Sequence, residues 1–96
     1  MKHEILQLEP SNVWKYFYEI CQIPHASKKE EKMIHYLMEV GKRLGLDTEK
    51  DEVGNVLIRK QASKGKEHIT PVVFQSHMDM VCEKNNDVAF NFETDA

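Results

Sequence analysis

The residues of this sequence best suited to chemistry are His77 and Asp79, in the run Ser76-His77-Met78-Asp79-Met80. They are two positions apart, so on an extended backbone both side chains point to the same side. A neutral imidazole is a good zinc ligand, and a carboxylate commonly fixes the orientation of such a ring. The spacing therefore predicts a metal ligand with its orienting acid. The simpler alternative is a histidine packed beside a carboxylate at the end of a strand.

By itself the His-x-Asp triplet is a weak signal, because a chain with five histidines produces it often by chance. Its position strengthens it. The preceding Val72-Val73-Phe74 is typical of a strand covered on both faces, and open α/β sheets bind ligands at the carboxyl ends of such strands. The motifs G-x-S-x-G, G-x-G-x-x-G and H-E-x-x-H do not occur, so the mechanisms they carry have no support.

Two helices are predicted in the first half of the chain, where apolar residues recur at three- and four-residue steps. The first is predicted to begin with Ser11 as N-cap and to end before Pro24. The second is predicted to follow a capping box of Ser27 and Glu30. It should end at Gly45, where a left-handed residue is favoured.

Strands are predicted in the second half. Residues 56–60 form a short β-branched run, residues 46–50 are a weaker candidate, and residues 51–55 between them are typical of a turn. Residues 69–76 are predicted to form a third strand. The order therefore predicts the α/β class, with two N-terminal helices followed by strands of a mixed sheet.

Length and charge exclude several classes of protein. The chain has 96 residues, 41% hydrophobic and 30% charged, which predicts one small folded domain. The formal net charge of −3 argues against a nucleic-acid partner, and the lack of a long apolar run argues against a membrane span. No secretory signal is visible, and the two widely spaced cysteines favour a cytoplasmic protein over a disulfide scaffold.

A strongly apolar third strand so close to residue 96 leaves its far edge and face without cover. We therefore expect residues 1–96 to be the N-terminal portion of a longer, catalytic domain.

Several segments together resemble the start of the aminoacyl-histidine dipeptidases, also called Xaa-His or cytosol non-specific dipeptidases. This family belongs to the zinc-dependent peptidases with two metal ions. Each segment is a modest signal, but they follow one another in order over nearly the whole chain and are specific as a set. They are residues 8–10, 20–27, 51–60, 72–81 and 84–87.

The resemblance implies a catalytic α/β domain with a central sheet and a second, smaller domain. It implies a hydrolase that cleaves Xaa-His and other dipeptides with two divalent metal ions, usually zinc. In that family a glutamate activates a metal-bound water. His77 would be a ligand of one metal, and Asp79 would orient that histidine as part of the catalytic apparatus.

The family's other metal ligands and its glutamate base come later in its sequences, and none is present here. A catalytic zinc normally has three protein ligands, so we expect residues 1–96 alone to be inactive and to bind zinc weakly or not at all.

Two other hypotheses stay open. The chain could be a non-enzymatic remnant or interaction module that forms a homodimer through its exposed sheet, or a simple zinc-binding module.

Overall fold

A computed structural model describes residues 2–95, and the described chain contains three helices and two strands. These are α1 (Lys2–Ile5), α2 (Ser11–Cys21), α3 (Glu31–Arg43), β1 (Asp47–Lys50) and β2 (Val56–Arg59). The predicted α/β class, with helices followed by strands, is confirmed; α1 is a short helix that the sequence did not predict. In residues 2–95 no helix combines the length and the apolar character needed to cross a membrane.

The chain forms two compact units, and each is described by itself. One comprises the residues up to 33 together with those from 79 onward. The other comprises residues 34–78.

Helix α2 begins one position away from the predicted cap. Pro10 is the N-cap and Ser11 is already helical, so the prediction of Ser11 as N-cap is wrong. The first turn of a helix has free N–H groups. Here the Ser11 N–H donates to Oε2 of Glu9 at 2.9 Å. The predicted end before Pro24 is confirmed, because the helix stops at Cys21.

The C-terminus of α3 is as the sequence predicts. Gly45 has a φ of +70°, and its N–H donates to the Lys42 carbonyl at 3.0 Å. The Leu46 N–H donates to the Gly41 carbonyl at 2.9 Å. These two bonds form a Schellman motif, which satisfies carbonyls that the end of the helix leaves free.

Strands β1 and β2 form an antiparallel hairpin in which Asp47 faces Arg59 and Lys50 faces Val56. The predicted turn over residues 51–55 is confirmed. The Asp51 carboxylate accepts the Asn55 side-chain amide at 2.7 Å and the Asn55 N–H at 2.9 Å. These hydrogen bonds hold the pKa of Asp51 below its usual range, because they favour the charged carboxylate.

The predicted third strand is not formed. Within the described chain, residues 69–76 pair with neither β1 nor β2, so the sheet is two-stranded and antiparallel rather than mixed. Val72, Val73 and Phe74 are 77%, 80% and 95% exposed. Apolar composition favours a strand, but a strand forms only where a neighbour supplies hydrogen bonds and cover.

Very little of the described chain is buried. Met33 of α3, 2% exposed, is the one hydrophobic residue in the described part that is buried. On α2, Val13 and Phe17 are 59% and 48% exposed, although their spacing correctly predicts a common face. The helical periodicity is therefore borne out in α2 and α3, while the core that it predicts is only partly assembled.

Gly41 of α3 lies against Thr48 of β1. A methyl group added at Gly41 would meet the Thr48 Oγ1 and would approach Cγ2 and Cβ to 2.8 and 2.9 Å. Both residues belong to the unit of residues 34–78, so this close approach fixes the distance between helix and hairpin within that unit.

We expect Gly41→Ala to lower the free energy of unfolding by up to about 2 kcal/mol. The overlap with Thr48 costs about 1–3 kcal/mol, and the ~1 kcal/mol that alanine gains in a helix interior offsets part of it. Denaturant unfolding followed by circular dichroism measures the change. Lys42→Ala, at the exposed neighbouring position, is the control and should change stability by less than about 0.5 kcal/mol. Equal or higher stability of Gly41→Ala would contradict the close approach.

Candidate functional site

His77 is exposed and belongs to the unit of residues 34–78. It follows the exposed apolar run that ends at Phe74 rather than a paired strand. The predicted placement of His77 at the end of a covered strand is therefore wrong for the described chain. The exposed imidazole is accessible to a ligand from solvent.

Asp79 is half-buried and belongs to the other unit, where the loop between α2 and α3 holds it. The Ser27 hydroxyl donates a hydrogen bond to the Asp79 Oδ2. Next to it, the Met80 N–H donates to the His25 carbonyl at 2.9 Å. Ala26 and Met80 form a parallel bridge, so backbone and side chain both attach Asp79 to this loop.

The loop is shaped by a residue in an uncommon backbone conformation. Lys28 has a φ of +66°, in the left-handed region that side chains other than glycine seldom adopt. The Lys29 N–H donates to the Ala26 carbonyl at 2.9 Å, which closes a tight turn between α2 and α3.

The predicted capping box is wrong. Helix α3 begins at Glu31, and the Glu30 Oε1 accepts the N–H of Lys28 at 2.9 Å instead of that of Ser27. The Ser27 hydroxyl donates to Asp79 instead of capping the helix. The sequence pattern S-x-x-E is compatible with a capping box and with this contact, and only the position of residue 79 distinguishes the two.

A shallow cavity of about 300 Å³ lies beside the loop, in the same unit as Asp79. Its lining includes Pro24, Ala26 and Phe92, with charged groups around them. Lys29 and Glu93 form an ion pair there: hydrogen bonding to Glu93 raises the pKa of Lys29, and Lys29 lowers the pKa of Glu93. Both side chains are 61% exposed, so solvent screens the pair and it adds little to stability.

The chain matches known proteins over nearly its whole length. The chain is 47% identical over 92 residues to the cytosol non-specific dipeptidase of Escherichia coli (strain K12). The aligned region covers 96% of this chain and 19% of that protein. A crystal structure of an aminoacylhistidine dipeptidase from Vibrio alginolyticus matches with a TM-score of 0.90 and 42% identity. That match covers 95% of this chain and 19% of the other.

This chain is similar to part of an aminoacyl-histidine dipeptidase.

The resemblance predicted from the sequence is thereby confirmed. The chain spans about a fifth of the length of each dipeptidase that it matches. No protein-family model matches it. At 42% identity the structural match also confirms that the α/β arrangement is that of a segment of a dipeptidase.

The described residues do not make a complete metal site. Across residues 2–95, no three histidine, cysteine, aspartate or glutamate side chains are grouped so as to hold a metal ion. A catalytic zinc normally takes three protein ligands, so His77 and Asp79 fit at most a part of such a site. The orientation of these two side chains relative to each other stays a prediction.

The sequence does not predict the contact of Ser27 with Asp79. Segment 20–27 is part of the resemblance, but the S-x-x-E pattern predicts a helix cap for its serine. No local pattern indicates a hydrogen bond to a residue 52 positions away. Only the pairing of Ala26 with Met80 reveals it.

We expect Lys28→Gly to raise the free energy of unfolding by about 0.5–1 kcal/mol. Glycine removes the cost of a side chain at a φ of +66°, of order 1 kcal/mol or more, and part of this gain is offset by its greater freedom in the unfolded chain. Denaturant unfolding measures the change. Lys29→Gly is the control, since its φ is not in the left-handed region, and it should lower stability. A loss of stability in Lys28→Gly would show that the loop does not hold residue 28 in this conformation.

Proposed function

We propose that this chain is the N-terminal portion of the catalytic domain of a metal-dependent dipeptidase. The observation that carries the proposal is identity of 47% and 42%, over nearly the whole chain, to two proteins that are both named dipeptidases. The complete protein is then a hydrolase of the cytoplasm that cleaves Xaa-His and other dipeptides. It acts on a small peptide rather than on a nucleic acid or a membrane surface.

Within that protein, we assign His77 as a ligand of one of two divalent metal ions, with zinc as the first candidate. Its exposure supports this role, because a ligand must be reachable. Asp79 orients His77 and is part of the catalytic apparatus. Its attachment to Ser27 and, through Met80, to His25 supports this role, because an orienting carboxylate needs a fixed position.

The remaining metal ligands and the general base come from outside residues 1–96 in this proposal. The described residues offer fewer ligands than a catalytic zinc needs, so the 96-residue chain alone should be inactive toward dipeptides. The exposed Val72-Val73-Phe74 run supports a contribution from outside residues 1–96, since its apolar surface requires cover that the described chain does not provide.

The proposal is tested by His77→Ala and Asp79→Asn in the complete protein. His77→Ala should lose about one equivalent of metal and most of the activity. Asp79→Asn should keep the metal but lower kcat by roughly 10- to 100-fold, because the histidine loses its charged partner. Metal analysis of the purified proteins and hydrolysis of an Xaa-His dipeptide measure the two effects.

His68→Ala is the matched control for His77→Ala, because His68 is another exposed histidine of the same unit. It should leave metal content and turnover unchanged. Normal turnover in both His77→Ala and Asp79→Asn would refute the site assignment.

The alternative function is a non-enzymatic module that self-associates. The exposure of Val72, Val73 and Phe74, between 77% and 95%, favours it, because monomers rarely leave such a run uncovered. In this hypothesis a second copy of the chain covers the run.

The self-association hypothesis predicts that the 96-residue chain is a dimer in sedimentation equilibrium, and that Phe74→Lys makes it monomeric. Charge at a fully exposed apolar position should oppose pairing between two copies. Val53→Lys is the control, because Val53 is 83% exposed and belongs to the hairpin turn rather than to the run. A dimer that persists in Phe74→Lys would exclude this surface, and a monomeric wild-type chain would exclude the hypothesis.

A further inference from the structure

We propose that Ser27 is the positioning residue for Asp79: its hydroxyl fixes the Asp79 carboxylate in the orientation that the reaction needs. This inference rests on the proposed dipeptidase function and goes beyond it. It adds a residue from the loop before α3 to a site otherwise built from the segment around residue 77.

The first support is the pair of bonds that attach the two segments. The Ser27 hydroxyl donates to the Asp79 Oδ2, and the Met80 N–H donates to the His25 carbonyl at 2.9 Å. In the parallel bridge of Ala26 and Met80, Ser27 follows the bridged pair and Asp79 precedes it, so the two residues lie diagonally across the bridge, and the side-chain hydrogen bond joins them. The side-chain bond then acts on a carboxylate whose backbone is already held.

The second support is that the hydroxyl has no role in the helix. The carboxylate of Glu30 accepts a hydrogen bond from the Lys28 N–H, and α3 begins only at Glu31. The turn at Lys28, with a φ of +66°, separates Ser27 from the helix. A serine placed three residues before a glutamate usually caps the helix, whereas the Ser27 hydroxyl donates to the Asp79 carboxylate.

The physical effect of the bond is on orientation rather than on global stability. A hydroxyl donor to an ionised carboxylate makes a charge-assisted hydrogen bond, which restricts rotation about the bond that carries the carboxylate. Groups that hydrogen-bond a metal ligand typically change metal affinity or activity by 10- to 100-fold when they are removed, and Ser27 acts one step further out, through Asp79. Ser27 is exposed, so its loss should leave the fold intact.

The experiment compares Ser27→Ala, Ser27→Cys and Ser27→Thr in the complete protein. Ser27→Ala should lower kcat for an Xaa-His dipeptide roughly 10-fold with little change in KM, because substrate contacts are kept. Ser27→Cys, with a weak donor of similar size, should fall between Ser27→Ala and wild type. Ser27→Thr keeps the hydroxyl and should restore kcat to within about three-fold. Ser63→Ala, at an exposed serine in the unit of residues 34–78, should have the kcat and KM of the wild type.

A second measurement does not depend on activity. In the metal-free protein, hydrogen exchange of the Met80 amide should be several-fold faster in Ser27→Ala than in wild type or Ser63→Ala, because the hydrogen bond from residue 27 to the neighbouring Asp79 is lost. Unchanged exchange would overturn the structural basis of the inference.

The outcomes separate this inference from the proposed function. If Asp79→Asn loses turnover while Ser27→Ala and Ser27→Cys keep it, only the role of Ser27 fails. If Ser27→Ala loses turnover and Ser27→Thr does not recover it, the hydroxyl is not the acting group and the inference is again overturned. If Asp79→Asn itself keeps normal turnover, the site assignment fails, and the role of Ser27 fails with it.

Discussion

The arrangement of the candidate site depends on one main-chain hydrogen bond, from the Met80 N–H to the His25 carbonyl. It connects a loop between two helices to a segment more than fifty positions later in the sequence, and it places Asp79 beside Ser27. Bringing together such distant segments has a large entropic cost. A single backbone bond contributes only about 1 kcal/mol, so the hydrogen bond from the Ser27 hydroxyl to Asp79 acts with it.

The small core explains why these polar contacts matter so much. Met33 is buried, while apolar residues such as Phe17, Val73 and Phe74 keep much of their surface in water. Burial of apolar surface is the main source of folding free energy, at about 25 cal/mol per Å². Where so little surface is removed from water, local geometry decides the position of each segment. Examples are the Schellman motif at Gly45 and the Asp51 turn.

The features that the sequence predicts well are those set by a few adjacent residues. Gly45 ends α3 because glycine adopts a positive φ at no steric cost, and residues 51–55 form a turn because Asp51 accepts the backbone N–H groups that follow it. The errors have a different cause. Ser27 and Glu30 have the right spacing for a capping box, yet the serine hydroxyl donates to Asp79, and no local pattern can indicate a contact so distant in the sequence. Residues 69–76 have the composition of a strand, but pairing requires a neighbour, and composition says nothing about which one.

The bridge between Ala26 and Met80 also has a consequence for how this protein can vary. Loops between helices usually tolerate insertions and deletions. In this loop the bridge sets a register, and in extended backbone a shift of one residue turns each side chain to the opposite face. A one-residue insertion after Pro24 would therefore turn the Ser27 hydroxyl away from the Asp79 carboxylate, even with every original residue still present. The length of this connection is constrained as tightly as the identity of the residues in it.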